Sequence, residues 1–295
     1  MSSATATPAK TQTLQVPGAT LAYDVREPEK KSTEPTLMLI GSPMDASGFT
    51  SLAGHFPARR IVTYDPRGVT RSKRADMKKD PTPEDHAEDL HAVIAASGGA
   101  PVDLFASSGG AVNALALVAK YPNDVRTLVA HEPPAAQLLP DRKEAQAGAT
   151  AMRRTYERSG TGPAMAMFMA FTSLKGPIPA DWATQPAPDP AAFGLPTEDD
   201  GKRDDPLMAN MITCTHYQPD FAALAKAPTR IVVGVGEESE GEFAHRGGEA
   251  VAERLGTKPV VFPSHHGGFL GGEFGWPGKP KEFAAKLREV LSGKS

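Results

Sequence analysis

Apolar positions alternate with polar ones in two segments near the start of the chain. These segments, TLQV and TLAYDVREP, are separated by Pro17-Gly18 and are typical of an antiparallel hairpin. Continuous apolar runs follow, and such runs are typical of strands that are buried on both faces of a parallel sheet. The runs are TLMLIGS, RIVTYD, PVDLFAS, VRTLVAHEPP, RIVVGVG and KPVVFPS.

Segments with helical spacing lie between these runs. After a predicted N-cap at Thr82, the apolar residues Ala87, Leu90, Val93 and Ile94 recur at the spacing of one helix face. Further helices are predicted at AVNALALVAKYP, GGEAVAERLG and KEFAAKLREVL. Because strands and helices alternate along the chain, the sequence predicts an α/β fold with a doubly wound, mostly parallel sheet.

A long insertion interrupts this alternation between Pro133 and Pro228. Helical patches at 143–158, 163–174 and 207–217 surround a proline-rich, charged loop there. An insertion of this length between two sheet strands predicts a helical cap over the edge of the sheet where loops gather. The predicted organisation is a disordered tail at 1–12, a core at 13–133 and 228–295, and a helical cap at 134–227.

Composition narrows the classes of function. The chain has 295 residues, of which 40% are hydrophobic, and a net charge of -3, so it lacks the basic surplus of nucleic-acid-binding proteins. The single cysteine, Cys214, excludes an intrachain disulfide and a cysteine-based metal site, and no apolar stretch has the length of a membrane span. We therefore expect a cytoplasmic protein that binds neither nucleic acid nor membrane. We also expect it to act on a small molecule without a metal or cofactor, and a homodimer is possible.

Two serines, Ser107 and Ser108, lie between a predicted strand and a predicted helix, where a nucleophile elbow can form. In such a sharp turn, the residues two before and two after the nucleophile crowd against backbone and must be small. The bulky Phe105 lies two before Ser107, whereas Ala106 and Gly110 flank Ser108. The sequence therefore predicts Ser108 as the nucleophile, with the N-terminus of the helix aimed at its side chain. A merely flexible junction is the alternative.

Four motifs support this interpretation: LMLIGSP, YDPRGVTRS, FASSGGAVNALALVAKYP and SHHGGF. In this order and at these spacings they resemble the α/β-hydrolase fold family over most of residues 15–292, apart from the cap. Two positions depart from the family pattern, which more often has glycine at Ala106 and His-Gly at Ile40-Gly41. The resemblance implies the fold predicted above and a serine nucleophile with a histidine base.

The resemblance also assigns roles to particular residues. The family has its base directly before a glycine, which selects His266 over His265. An oxyanion hole needs two backbone N–H groups, and one of them follows the nucleophile, at Gly109. The resemblance implies that the other belongs to Ser42, since the next residue, Pro43, has no N–H.

The acid of the triad has two candidates, Glu132 and Glu238. In most of the family it follows the strand after the cap, but Ser239 stands at that position here, directly after Glu238. Glu132 ends the strand before the cap, one helix and one strand after Ser108, so it should emerge beside Ser108 at the same sheet edge. Some lactone-cleaving members of the family resemble this arrangement. We expect Glu132 to be the acid, with Glu238 as the alternative; a salt bridge that anchors the cap is the other interpretation of Glu132.

The apolar cap segment PAMAMFMAFTSL predicts a buried cap helix, and a second, compatible interpretation is that this helix partly lines a substrate pocket. Its Met165, Phe168 and Met169 are expected to form an adaptable apolar wall, with Met44 near the mouth. The sequence thus predicts a serine hydrolase that cleaves an ester or lactone of a medium-sized, largely apolar molecule through an acyl-enzyme. A cofactor-free lyase or oxygenase on the same fold, and a non-catalytic ligand receptor, are the alternatives.

Overall fold

A computed structural model describes residues 8–28 and 30–293, and its main feature is a twisted sheet flanked by helices. Numbered in chain order, the strands β1 to β9 are Lys10–Val16, Ala19–Arg26, Leu37–Ile40, Ile61–Tyr64, Lys73–Arg74, Val102–Ser107, Val125–His131, Arg230–Gly236 and Val260–Phe262. The α-helices α1 to α9 are Thr50–Gly54, Pro83–Ala96, Gly109–Lys120, Arg142–Ser159, Thr161–Thr172, Pro206–His216, Phe221–Lys226, Phe243–Arg254 and Pro280–Leu291.

The sheet has the strand order β1-β2-β4-β3-β6-β7-β8-β9, and the short β5 pairs with β2. The strands β1 and β2 form the predicted antiparallel hairpin, and β2 is also antiparallel to β4. Every pair from β4 to β9 along this order is parallel. This arrangement confirms the predicted doubly wound, mostly parallel α/β fold. It also brings the carboxyl ends of β3, β6, β7, β8 and β9 to one edge, where such sheets bind ligands.

Both faces of the sheet are covered, which explains why its central strands are apolar throughout. In β3, Met38 and Ile40 point into one core cluster, and Leu37 and Leu39 point into the other. The first cluster includes residues of α2, α3, α7 and α8, whereas the second includes residues of α1 and α9. The predicted cap of α2 is also present, because Thr82 Oγ1 accepts from Asp85 N and the Asp85 carboxylate accepts from Thr82 N.

The inserted segment between β7 and β8 contains the three predicted helices, as α4, α5 and α6. They enclose a third apolar cluster that includes Met152, Met167, Phe171, Trp182 and Met211. The division of the chain into a core and a cap at 134–227 stays a prediction. No helix within the described ranges is both long and apolar enough to cross a membrane.

The predicted tail at 1–12 is wrong for its last residues, because β1 already begins at Lys10. These residues pair with β2, and Thr11 Oγ1 donates a hydrogen bond to Asp24 Oδ1 at 2.6 Å. An edge strand gains its order from backbone bonds to its neighbour, and polar side chains are typical of such edges. The rest of the predicted tail, up to residue 7, lies outside the described residues.

Candidate active site

Ser108 lies in a sharp turn between β6, which ends at Ser107, and α3, which begins at Gly109. Its backbone has φ 57° and ψ -131°, a conformation that residues with a side chain rarely adopt. The turn is held by the Ser108 N–H, which donates to the carbonyl oxygen of His131 at 3.0 Å. The strained backbone therefore lifts Ser108 out of the strand at the carboxyl edge of the sheet.

The turn needs small residues because it presses against the loop after β3. A Cβ atom at Gly110 would lie 2.8 Å from the Cα of Gly41, and one at Gly109 would lie 2.7 Å from the carbonyl oxygen of Ser42. On the other side of the turn, Ala106 is fully buried. These contacts give the physical reason for the small residues that the sequence places around Ser108.

The two adjacent serines have different surroundings. Ser107 is only 2% exposed, and its Oγ lies 3.3 Å from Nδ1 of the buried His131. Ser108 is partly exposed, and its Oγ has no hydrogen-bond partner among residues 8–28 and 30–293. Ser107 is thus buried and in contact with His131, whereas the hydroxyl of Ser108 is available to a ligand in the cavity.

Glu132 and His266 form a close pair beside this turn. Glu132 directly follows β7, at φ 47°, and its side chain is fully buried. In the register of β6 and β7, Ser107 pairs with His131, so Ser108 and Glu132 follow neighbouring strand ends. His266 Nδ1 lies 2.6 Å from Glu132 Oε2. Because a carboxylate only accepts, Nδ1 carries the proton and Nε2 is left with its lone pair.

The second oxygen of Glu132 is also saturated with donors. Its Oε1 accepts from the N–H of Gly236 at 2.8 Å and from the hydroxyl of Ser239, and Nδ1 of His245 lies 3.5 Å away. Burial alone would raise the pKa of Glu132, but hydrogen bonds from His245 and His266 hold that pKa well below its usual range. Glu132 therefore stays ionised in the interior.

The Glu132 carboxylate in turn changes the basicity of His266. Burial would lower the pKa of His266, but the hydrogen bond to Glu132 outweighs it and raises that pKa above the ordinary histidine value. A histidine that is held in one tautomer and made more basic is suited to accept a proton from a hydroxyl group.

The alternative acid, Glu238, has other partners. Its carboxylate lies 2.5 Å from Lys279 Nζ and accepts from Ser264 Oγ at 3.3 Å. Its neighbour Ser239, which occupies the usual position of the acid, donates its hydroxyl to Glu132 instead. The structure therefore pairs His266 with Glu132, which was the favoured candidate, and turns Glu238 toward a surface lysine.

Ser108 and His266 share a cavity of about 880 Å³. The predicted oxyanion residues Ser42 and Gly109 also line it. This volume suits a small-molecule ligand, and the residues of the predicted cap supply much of the apolar wall. Among the described residues, no group of three or more His, Cys, Asp or Glu side chains is arranged to hold a metal ion.

Met44, Met165 and Phe168 line the cavity as predicted, but Met169 does not. The wall-lining residues of α5 form one stripe, which runs from Phe171 through Phe168 to Met165 around the helix. At 3.6 residues per turn, Met169 lies one step beyond Met165 and outside this stripe. The prediction for Met169 was wrong because an apolar helix gives no sign of which side meets the ligand.

Sequence reasoning missed two partners of Glu132, namely Ser239 and His245. His245 lies in the first turn of α8, which begins at Phe243. It reaches Glu132 from an element more than a hundred residues away in the chain, and no local motif signals that contact. The sequence gives no sign of the role of His131 either; burial lowers its pKa to about 4, so it packs as a neutral ring.

Comparison with known proteins identifies the family to which this fold belongs. Residues 37–186, just over half of the chain, match the family model described as alpha/beta hydrolase fold. A relative from Bacillus subtilis (strain 168), the uncharacterized hydrolase YraK, is 29% identical, and the alignment covers 95% of each chain.

Solved structures share the architecture at lower identity. A thermophilic esterase from Thermogutta terrifontis has a TM-score of 0.66 at 20% identity, with 97% of this chain and 98% of that chain covered. The enol-lactonase from Burkholderia xenovorans LB400 has a TM-score of 0.64 at 16% identity, with 95% and 100% covered. At these identities the likeness concerns the fold.

Proposed function

Because the chain belongs to the α/β-hydrolase fold family, we propose that it is a serine hydrolase that cleaves carboxylic esters or lactones through an acyl-enzyme on Ser108. One observation carries the proposal. Ser108, with its free hydroxyl, and His266, which is hydrogen-bonded to the buried Glu132, open into the same cavity. A nucleophile, a base and an acid that orients the base are the parts that acyl transfer requires.

In the first half of the reaction, His266 Nε2 accepts the proton of Ser108 as its Oγ attacks the carbonyl carbon of the substrate. Glu132 stabilises the imidazolium that forms, because its carboxylate holds the Nδ1 proton. The N–H groups of Gly109 and Ser42 are the proposed donors to the oxyanion. His266 then gives the proton to the leaving alcohol oxygen, and Ser108 carries the acyl group.

In the second half, a water molecule replaces the alcohol. His266 accepts one of its protons while the oxygen attacks the acyl carbon, and the proton then returns to Ser108 as the acid leaves. For a lactone, the alcohol and the acid are the two ends of one opened ring.

The cavity wall supports a neutral, largely apolar substrate. Met44, Met165 and Phe168 contribute apolar surface. None of the described residues that line the cavity is Lys or Arg, whereas Asp45, Asp205 and Glu242 bring carboxylates. A strongly anionic substrate would find no ion-pair partner there. The esterase and the enol-lactonase of similar fold support the ester and lactone class.

Kinetics with p-nitrophenyl esters test the proposal. Ser108→Ala removes the nucleophile, so kcat should fall by on the order of 10³-fold or more. Ser107→Ala is the matched control, and it should lower kcat by less than about tenfold, because Ser107 contacts His131 and not the base. Equal losses at both positions, or an active Ser108→Ala enzyme, would contradict the assignment.

A further inference from the structure

The carboxylate of Glu132 lies between two histidines. Its Oε2 contacts His266 Nδ1 at 2.6 Å, and its Oε1 lies 3.5 Å from Nδ1 of His245 on α8. Glu132 is fully buried, and the His245 side chain is only 7% exposed. Charges so deep in the protein are poorly screened, so a charge on one histidine acts on the other across the shared carboxylate.

The hydrogen bonds of His245 fix where its protons lie. Its Nδ1 is 3.2 Å from the carbonyl oxygen of Gly236, which can only accept, so Nδ1 carries a proton in both charge states. A second proton binds at Nε2, which lies 3.7 Å from Oε1 of Glu249. His245 can therefore become a cation without giving up its contacts with Gly236 and Glu132.

The groups around His245 favour this cation. Glu132 faces one ring nitrogen and Glu249 the other, while His131 remains neutral because burial lowers its pKa. Arg246, the next residue of α8, is turned toward Asp141 and pairs with it. Two further titratable groups in this region are His266, beyond Glu132, and Glu242, which acts on His266 from the N-cap of α8.

We propose that His245 is a positioning residue of the active site, which holds Glu132 against His266 and, when protonated, competes with His266 for the same carboxylate. The proposal rests on the function proposed above, since that function makes His266 the base. A His245 cation on the far side of Glu132 disfavours a second cation on His266. His266 therefore keeps its reactive neutral form to a lower pH than Glu132 alone would allow.

Both rings respond to the same carboxylate. The hydrogen bond to Glu132 raises the pKa of His245 although burial opposes it. Burial likewise opposes the rise in the pKa of His266, and the hydrogen bond to Glu132 again outweighs it. Two bases on one carboxylate titrate as a coupled pair, in which the first proton bound makes the second harder to bind.

Two substitutions separate the charge of His245 from its hydrogen bond. His245→Asn keeps an N–H group near the position of Nδ1 but carries no charge, whereas His245→Phe removes both. In both variants, the acid limb of the pH profile of kcat/KM for a p-nitrophenyl ester should move to higher pH by about 0.5 to 1 unit. Only His245→Phe should also lose plateau activity, because Gly236 and Glu132 lose their donor. If His245→Asn does not fold, His245→Gln takes its place.

A matched control and a second measurement complete the test. His91→Asn removes a histidine that pairs with Asp124 and does not line the cavity, so the acid limb should stay where it is. NMR titration of the His266 ring should give the same upward shift in His245→Asn without any turnover.

The results separate this proposal from the function on which it rests. If the limb and the His266 titration of His245→Asn match the wild type within about 0.2 pH unit, His245 has only a structural role and the proposal fails. An active Ser108→Ala enzyme would overturn the proposed function instead, and the NMR titration would still decide the coupling of the two histidines.

Discussion

At the scale of single residues, the site is built on two strained positions at neighbouring strand ends. Ser108 and Glu132 both have positive φ angles, at 57° and 47°. Such conformations cost on the order of 1–3 kcal/mol each and persist only where the surroundings fix them. Here the contacts of Glu132 with His266 and Gly236 fix the carboxylate, and the close approach of the elbow to the loop after β3 fixes the serine.

The first residue-scale prediction concerns the acid. Glu132→Gln keeps the shape of the side chain but removes the charge that stabilises the His266 imidazolium, so kcat should fall by about 10³- to 10⁴-fold with the fold retained. Glu238→Gln is the matched control and should cost less than about tenfold, because Glu238 pairs with Lys279. Steady-state kinetics and circular dichroism of both variants check this. If Glu238→Gln lost its activity while Glu132→Gln stayed active, Glu238 would be the acid instead of Glu132.

Several of the candidate residues could be predicted because the signal is local. The small residues Ala106 and Gly110 select Ser108 by sterics alone, and the length of one helix and one strand brings Glu132 beside it. His245 and Ser239 could not be predicted, because they meet Glu132 only after α8 and β8 have packed. A contact between distant segments leaves no mark in the local pattern.

At the scale of elements, α5 forms a wall of the cavity through one stripe of side chains. Phe168 belongs to this stripe and its neighbour Met169 does not, so the two give a matched pair of truncations. Phe168→Ala should change kcat/KM for long-chain relative to acetyl p-nitrophenyl esters by about tenfold, since it removes apolar surface from the wall. Met169→Ala should leave that ratio within about twofold. If the ratio changed equally in both variants, the claim that Phe168 and not Met169 lines the cavity would be wrong.

The elements that could be predicted are those with a long, regular pattern. The buried strands and the helices α2, α3, α8 and α9 follow from their apolar periodicity. The two-residue strand β5 and the six-residue helix α7 are too short to carry a period. β1 begins earlier than predicted because its first residues are polar and depend on pairing with β2.

At the scale of the whole molecule, the sheet edge and the inserted helices enclose one cavity. The sheet supplies Ser108 and Glu132 at adjacent strand ends, and the loop after β9 supplies His266. The inserted helices contribute Met165 and Phe168, which line the same cavity as Ser108. Under the proposed function, the sheet would supply the catalytic groups and the inserted helices would decide which acyl groups fit, as expected for sites grafted onto a common fold.

The most direct test of the central claim is the mass of the enzyme after reaction with a fluorophosphonate, followed by peptide mapping. A nucleophilic Ser108 predicts one phosphonate adduct on Ser108, with slow labelling in Glu132→Gln because His266 is then a poorer base. An adduct on Ser107, or an unmodified enzyme that still hydrolyses esters, would contradict it.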